Sequence, residues 1–268
     1  MPLHLGRIFV FPIKSLDGIS VDAARITDGG ILEHDRIYAI FDEAGAYVNG
    51  KRTARIQLLR SEYDPAWREI QLWEEGQSTR MVFSLAERTR LDRWLGDFFG
   101  FTVNVRHEPN SGFPDDRTAF GPTVVCEASL RAVAGWFPGM DLESARRRFR
   151  SNLEIGGGDA FAEDSLFGAP DELRPFSIGA VQFQGHNPCQ RCVVPTRDPD
   201  TAAPIPNFQK TFMEFRRQHL PAWADARRFN HYYRFAVNTS IGKSEAGKVI
   251  RVGDPVRLAP TPPLTSQR

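Results

Sequence analysis

The run Cys189-Gln190-Arg191-Cys192, flanked by Asn187-Pro188 and Pro195, puts two thiols close together with a guanidinium beside the second. Thiolate is the form of cysteine that attacks electrophiles and binds soft metal centres, and a neighbouring cation favours it. A dithiol–disulfide couple, part of a zinc site, a ligand to a metal–sulfur centre, or two incidental loop thiols all fit this spacing. A thioredoxin-type couple opens a helix, which Pro195 and Asp198-Pro199 oppose. Tetrahedral zinc needs four ligands; His186, Cys189 and Cys192 supply three, and there is no second C-x-x-C motif.

Other residues suit an anion. Phe149-Arg150-Ser151-Asn152-Leu153-Glu154-Ile155 leads into Gly156-Gly157-Gly158, where a close backbone and the Arg and Asn donors could meet a phosphate or ring oxygens. Neither nucleotide-loop pattern, G-x-x-x-x-G-K-[ST] nor G-x-G-x-x-G, is present. Phe11-Pro12-Ile13-Lys14-Ser15 closes an apolar strand, so Lys14 and Ser15 reach the rim of a sheet, with Asp35-Arg36 downstream. Glu163 and Asp164 stand side by side and read as a loop contact or cap rather than an acid–base pair.

The whole chain sets the context. It has 268 residues, 41% of them hydrophobic, and a formal net charge of +1, so an anionic partner must be held by a local cluster of cations. Of 34 basic residues five are Lys and 29 are Arg, the better fork for phosphate or carboxylate. The cations at 146–148 and 150 lack interleaved stacking aromatics beyond Phe149, so they read as a solvated face and not as a nucleic-acid surface. Three cysteines (Cys126, Cys189, Cys192) argue against a disulfide framework. With no signal-like start and no long apolar run, the expectation is a cytoplasmic protein with no membrane anchor.

Short strands are expected over 3–13, 24–27, 36–42, 46–49, 56–63, 69–73 and 81–85, a pattern of small barrels or sandwiches. Leu91, Trp94, Leu95, Phe98 and Phe99 repeat with a helical period that stops at Gly100. Further on come a strand over 103–106, helices over 127–137 and 144–149, a strand over 177–184, a loop over 186–201, a helix over 212–229 broken by Pro221, and strands over 232–237 and 248–258.

The order of these motifs resembles the MOSC superfamily, named after the C-terminal part of molybdenum cofactor sulfurase. Residues 1–118 look like the N-terminal β-barrel domain that precedes MOSC, with its Tyr/Phe-Pro-Ile-Lys-Ser signature at Phe11–Ser15 and a hairpin carrying Asp35-Arg36. Residues 119–262 look like MOSC itself. Its motifs stand here as Glu127-Ala128-Ser129-Leu130, Phe149-Arg150-x-Asn152, Ala162-Glu163-Asp164, Ile178-Gly179, Cys189-x-Arg191-Cys192, Thr196-x-Asp198-Pro199-Asp200-Thr201 and Val252-Gly253-Asp254-Pro255-Val256. Residues 263–268 read as a frayed tail. Where the family often has Arg-Pro-Asn, this chain has Arg150-Ser151-Asn152.

The resemblance implies a β-rich α+β fold: a β-barrel-like N-terminal domain and a MOSC-type β-barrel domain with peripheral helices. It implies a molybdenum cofactor, the metal carried by a pterin dithiolene with a phosphate. In the amidoxime-reducing members the second cysteine of C-x-R-C ligates the metal, which maps onto Cys192. Lys14, Ser15, Arg36, Ser129, Arg150, Asn152 and Arg191 are the implied cofactor contacts, and Asp198 an implied loop-ordering or proton-relay residue. The activity expected from the likeness is reduction of small N-hydroxylated compounds, hydroxylamines and amidoximes. Electrons would come from a separate iron–sulfur or haem carrier with its reductase, because no cysteines follow Cys192 to hold an appended cluster. The alternative is a non-catalytic carrier of the cofactor or of sulfur.

Overall fold

The computed structural model describes residues 2–259, so the tail expected at 263–268 lies outside the described residues. The first half runs β1 (His4–Val10), β2 (Ile19–Val21), β3 (Ala23–Arg25), β4 (Tyr38–Asp42), β5 (Leu59–Tyr63), β6 (Glu69–Glu74), β7 (Met81–Ser84), α1 (Thr89–Phe99) and β8 (Val103–His107). The second runs β9 (Val124–Cys126), α2 (Glu127–Gly135), α3 (Leu142–Phe149), β10 (Leu153–Gly156), β11 (Arg174–Ile178), β12 (Val181–Gln190), α4 (Phe208–Gln218), β13 (Arg234–Ile241), β14 (Val249–Arg251) and β15 (Val256–Leu258).

The fold is β-rich α+β as expected. An eight-stranded sheet has the order β15-β11-β12-β13-β9-β10-β1-β2, beside a β5-β6-β7 meander and the pairs β4-β8 and β14-β3; these orders close no barrel among the described residues. β1 pairs with β10 and β3 with β14, so the sequence junction at 118/119 is not a boundary between sheets. One core accordingly joins Leu5, Ile8 and Leu32 to Val124, Phe183 and Val237. A second lies beneath α1, whose Leu91, Leu95 and Phe98 are buried and whose end is Gly100 at φ 81°, the left-handed cap the spacing predicts. A third packs α2, α3 and α4 around Phe149, Phe212 and Phe235.

Five local expectations change. Residues 46–49 form only an isolated bridge, Phe41 to Tyr47, and 54–58 make a 3-10 turn before β5. The apolar stretch around Ile178 is a hairpin, not one strand, because Gly179 takes φ 56° and turns the chain into β12. β12 then continues through Gln190, so Cys189 stands on a strand and not in a loop; shifts in register at Gly185/Asn187 and Pro188/Gln190 accommodate a proline with no N–H to give. The helix expected over 212–229 is α4, ending before Pro221. The glycine run serves packing: a Cβ at Gly156 would lie 2.7 Å from the His4 ring, and none of the three lines the cavity described below.

Ser129 is corrected as a cofactor contact. It is 0% exposed, accepting from Phe161 N (2.6 Å) and donating to Glu163 Oε2 (2.6 Å) inside the third core. Asp164 pairs beside it with the buried Arg216, whose guanidinium lies between the rings of Phe161 and Phe229. Burial, with the charge of Asp164 adjacent, pushes the Glu163 carboxyl up to about 7. At this carboxyl the native state binds more protons than the unfolded chain between about pH 4.5 and 7, so the stability Glu163 contributes falls as pH rises through that window. Glu163→Gln is expected to flatten this slope, on the order of 2 kcal/mol between pH 5 and 8 in urea unfolding. An unchanged slope would assign the dependence to another group.

Candidate functional site

A cavity of about 750 Å³ opens where the end of β1, the Asp35-Arg36 turn, the 111–121 connection, the end of α3, the end of β12 and the segment before β13 converge. That volume holds a cofactor-sized ligand. Lys14, Ser15, Arg36, Arg150, Arg191 and Cys192 all line it, drawn together from positions up to 178 residues apart in sequence. Asn152, Asp198 and Ser129 do not.

The cation-rich end is held in uncommon backbone geometry. Ser15 (φ 77°), Arg36 (φ 52°) and Arg150 (φ 52°) are all left-handed, which costs a non-glycine residue roughly 1–2 kcal/mol. Arg150 occupies the C-cap of α3, the position glycine commonly takes, and its N–H still bonds Arg146 O at 2.9 Å. Its guanidinium lies 4.3 Å over the Phe11 ring and donates to Leu16 O at 2.5 Å, while Arg36 lies 5.3 Å from the same ring. Phe11 thus aims both forks. Burial pushes the Arg150 guanidinium down to about 10, so it stays charged at neutral pH.

Asn152 positions this end without lining the cavity. Fully buried, it donates to Phe9 O (3.0 Å) and Asp35 Oδ1 (2.9 Å), and accepts from Arg36 Nη1 (3.0 Å) and Thr123 N (3.2 Å). Its role as a direct contact is therefore replaced by one as a brace for Arg36, because every donor and acceptor is already engaged. Asp35 completes the brace, bonding Phe11 N at 2.8 Å and Arg36 Nη1. Lys14 donates to Phe113 O and pairs with Asp115, each at 2.8 Å. Desolvation in the cavity works against the Asp115 charge, yet Lys14 and Arg36 hold its carboxyl well below the usual range. Burial in turn lowers the Lys14 ammonium, with Asp115 opposing.

At the thiol end the two cysteines differ. Arg191 donates to Cys189 Sγ at 3.3 Å, and also reaches Phe149 O and Phe235 O. The guanidinium expected to act on Cys192 thus serves Cys189 and ties the end of β12 to α3. Both cysteines line the cavity, but the Cys192 thiol has no hydrogen-bond partner among the described residues, whereas Cys189 Sγ also lies 3.7 Å from Gln190 O. An all-protein zinc site is overturned: His186 turns to Ser240 Oγ (2.7 Å), and the described residues hold no group of three or more His, Cys, Asp or Glu fit for a metal ion.

Asp198 orders the following loop. Its Oδ1 accepts from Asp200 N and Thr201 N (both 3.0 Å), and Oδ2 pairs with Arg148 at 3.1 Å. Those bonds outweigh its desolvation and keep the carboxyl below the usual range, which fits loop ordering and not a proton relay. Arg148, 3% exposed, also donates to Pro195 O and Arg197 O, and Arg60 reaches Pro199 O from the other half of the chain. Arg148 and Arg60 are site-building residues that sequence reasoning missed. Their partners lie dozens of positions away, and only the basic run at 146–148 hinted at one of them.

Comparison with known proteins agrees with this geometry. The MOSC domain model matches residues 117–257, and the MOSC N-terminal beta barrel domain model matches residues 3–102. Mitochondrial amidoxime reducing component 2 of Bos taurus is 27% identical over 235 residues, covering 74% of this chain and 67% of that protein. Mitochondrial amidoxime-reducing component 1 of Homo sapiens is 24% identical over 298 residues, covering 95% and 82%. Molybdenum cofactor sulfurase of Drosophila grimshawi is 26% identical over 251 residues, 79% of this chain but only 31% of the sulfurase. With over half its length matched by the first of these models and most of the remainder by the second, the chain belongs to the MOSC domain family.

Proposed function

We infer that this protein binds a molybdenum cofactor in the cavity and reduces small N-hydroxylated compounds with electrons from a separate carrier. The observation that carries the reading is one cavity presenting a thiol without a hydrogen-bond partner, Cys192, together with the braced cations Lys14, Arg36 and Arg150. That donor set fits the group: a soft ligand for a metal–sulfur centre and hard donors for a phosphate. The names of the relatives, amidoxime reducing component and molybdenum cofactor sulfurase, support the same chemistry.

Cys192 would hold the metal, and Lys14, Ser15, Arg36 and Arg150 the phosphate. When bound, the cofactor would supply two-electron removal of oxygen from an N–OH group. The chain contributes orientation. Asn152 and Asp35 keep the Arg36 fork aimed, Arg191 fixes the end of β12 that leads to Cys192, and Asp198 with Arg148 stiffens the loop that follows. The three cysteines of this sequence are fewer than the four thiolates of an iron–sulfur cluster, which supports the reading that a separate carrier delivers the electrons. Among the described residues no helix is long and apolar enough to cross a membrane; we keep the cytoplasm as the proposed compartment.

Turnover of benzamidoxime by protein purified after growth with molybdate, with reduced viologen as artificial donor, tests the reading. Reduction to benzamidine is expected, and none with NADH alone. Bound molybdenum without turnover would indicate a carrier of the cofactor or of sulfur instead.

A further inference from the structure

Half of the cations in the cavity wall are already neutralised by a carboxylate. Lys14 has Asp115, Arg36 has Asp35, Arg60 has Asp17 and Glu75, Arg147 has Asp200, and Arg148 has Asp198. Among the described residues Arg150, Arg191, Lys51 and Arg117 have no such partner either, but Arg150 belongs to the proposed phosphate end, Arg191 is held on Cys189 and two carbonyls, and Lys51 and Arg117 have no side-chain bond that fixes them. A second pair without carboxylate partners lies elsewhere. Arg234 donates to Pro188 O at 2.9 Å and to Asn230 Oδ1 at 2.8 Å. Arg228 donates to Ala169 O at 2.9 Å and to His186 O, with its guanidinium 5.5 Å from the Phe167 ring centroid. Among the described residues neither makes an ion pair; of the carboxylates near Arg228, Asp171 forms no salt bridge with it and Asp225 is taken by Arg227 through Oδ1 at 2.9 Å and Oδ2 at 2.7 Å. Carbonyl and amide acceptors fix these forks without cancelling their charge.

Both arginines line the same cavity, on carbonyls two residues apart along β12. Between them and Arg150 lies the cysteine segment. The path of bonds runs from Arg234 to Pro188 O, next to Cys189, whose Sγ accepts from Arg191, which in turn donates to Phe149 O, next to Arg150. Asn187 and Asn238 form a cross-strand amide pair at 3.1 Å and line the same side.

We propose that Arg228 and Arg234 form a second anion subsite, across the cysteine segment from the phosphate end, which binds an oxyanion carried by the substrate, a carboxylate or a phosphate. This deepens the functional reading above and rests on it for the nature of the substrate. The preferred substrates are anionic N-hydroxylated compounds, whose N–OH group approaches Cys192 while the distal oxyanion takes the two forks.

The test is calorimetric binding of three ligands of one shape to the purified holoprotein: 4-carboxybenzamidoxime, 4-phosphonobenzamidoxime and the neutral 4-carbamoylbenzamidoxime. At least one charged ligand is expected to bind about tenfold or more tightly than the neutral one, with the advantage shrinking as salt rises. The tighter of the two names the oxyanion. The Arg228→Gln/Arg234→Gln double variant should lose the advantage while keeping its molybdenum and pterin. Equal affinity of all three ligands for the unaltered protein overturns the proposal, as does an advantage that survives in the double variant. Loss of cofactor from the variant also overturns it, by assigning the arginines to the cofactor. Both side chains brace backbone carbonyls, so if the double variant does not fold, the single Arg228→Lys and Arg234→Lys variants replace it; each keeps a charge but not the fork, and each should reduce the advantage. Turnover of the neutral amidoxime in the same preparation separates the two claims. Turnover without charge preference overturns only the subsite, and charge preference in binding without turnover overturns only the reductase reading.

Discussion

Cys192→Ser is expected to lower reduction of N-hydroxylated substrates more than about a hundredfold, whereas Cys189→Ser keeps most of the activity. The two thiols are close in sequence, and every disulfide or zinc scheme needs both. Their surroundings differ. Cys189 Sγ is engaged by Arg191, an acceptor role that a serine hydroxyl keeps, so the change costs packing alone, on the order of 1 kcal/mol of stability. Cys192 lines the cavity with its thiol uncommitted among the described residues, so serine there removes a soft ligand and puts a hard one in its place. Pterin should stay bound in Cys192→Ser, because the cations at the other end are untouched, and the metal's X-ray absorption should lose one sulfur neighbour. Equal loss of activity in the two variants would remove Cys192 from its assigned role.

The second large effect concerns the phosphate end. Lys14→Ala or Arg36→Ala should reduce cofactor occupancy about tenfold or more, each losing a charge-assisted bond worth roughly 1.5–3 kcal/mol. The Lys14 variant carries an internal check. Without the ammonium, Asp115 leaves a carboxylate facing the incoming phosphate, so Lys14→Ala/Asp115→Ala should bind more cofactor than Lys14→Ala alone. Molybdenum and pterin content of the purified variants measures this. Contents equal to the unaltered protein in both single variants would place the anion elsewhere.

How far the site can be read from sequence follows the range of the contacts that build it. Lys14-Ser15, Arg36, Arg150 and Cys192 sit in short motifs whose chemistry is local, and they line one cavity. Ser129 sits in a motif equally short, yet its hydroxyl is turned into the core by Glu163 and Phe161, partners more than thirty residues away. Asn152 shows the same limit in milder form: its residue type is right for binding, but Phe9, Asp35, Arg36 and Thr123 use up its bonds. In the fold, α1 is legible because its apolar period and Gly100 agree. The three-residue β9 is too short to carry a period, although its parallel pairing with β10 holds the centre of the large sheet. Proline misled at β12, where a bulge absorbs Pro188 and carries the strand on to the cysteines.

The most direct measurement is the molybdenum and pterin content of the protein purified after growth with molybdate, by elemental analysis and by fluorescence of the oxidised pterin. Binding in this cavity requires about one molybdenum and about one pterin per chain, retained through gel filtration. A chain that carries neither, or that carries zinc without pterin, would contradict it.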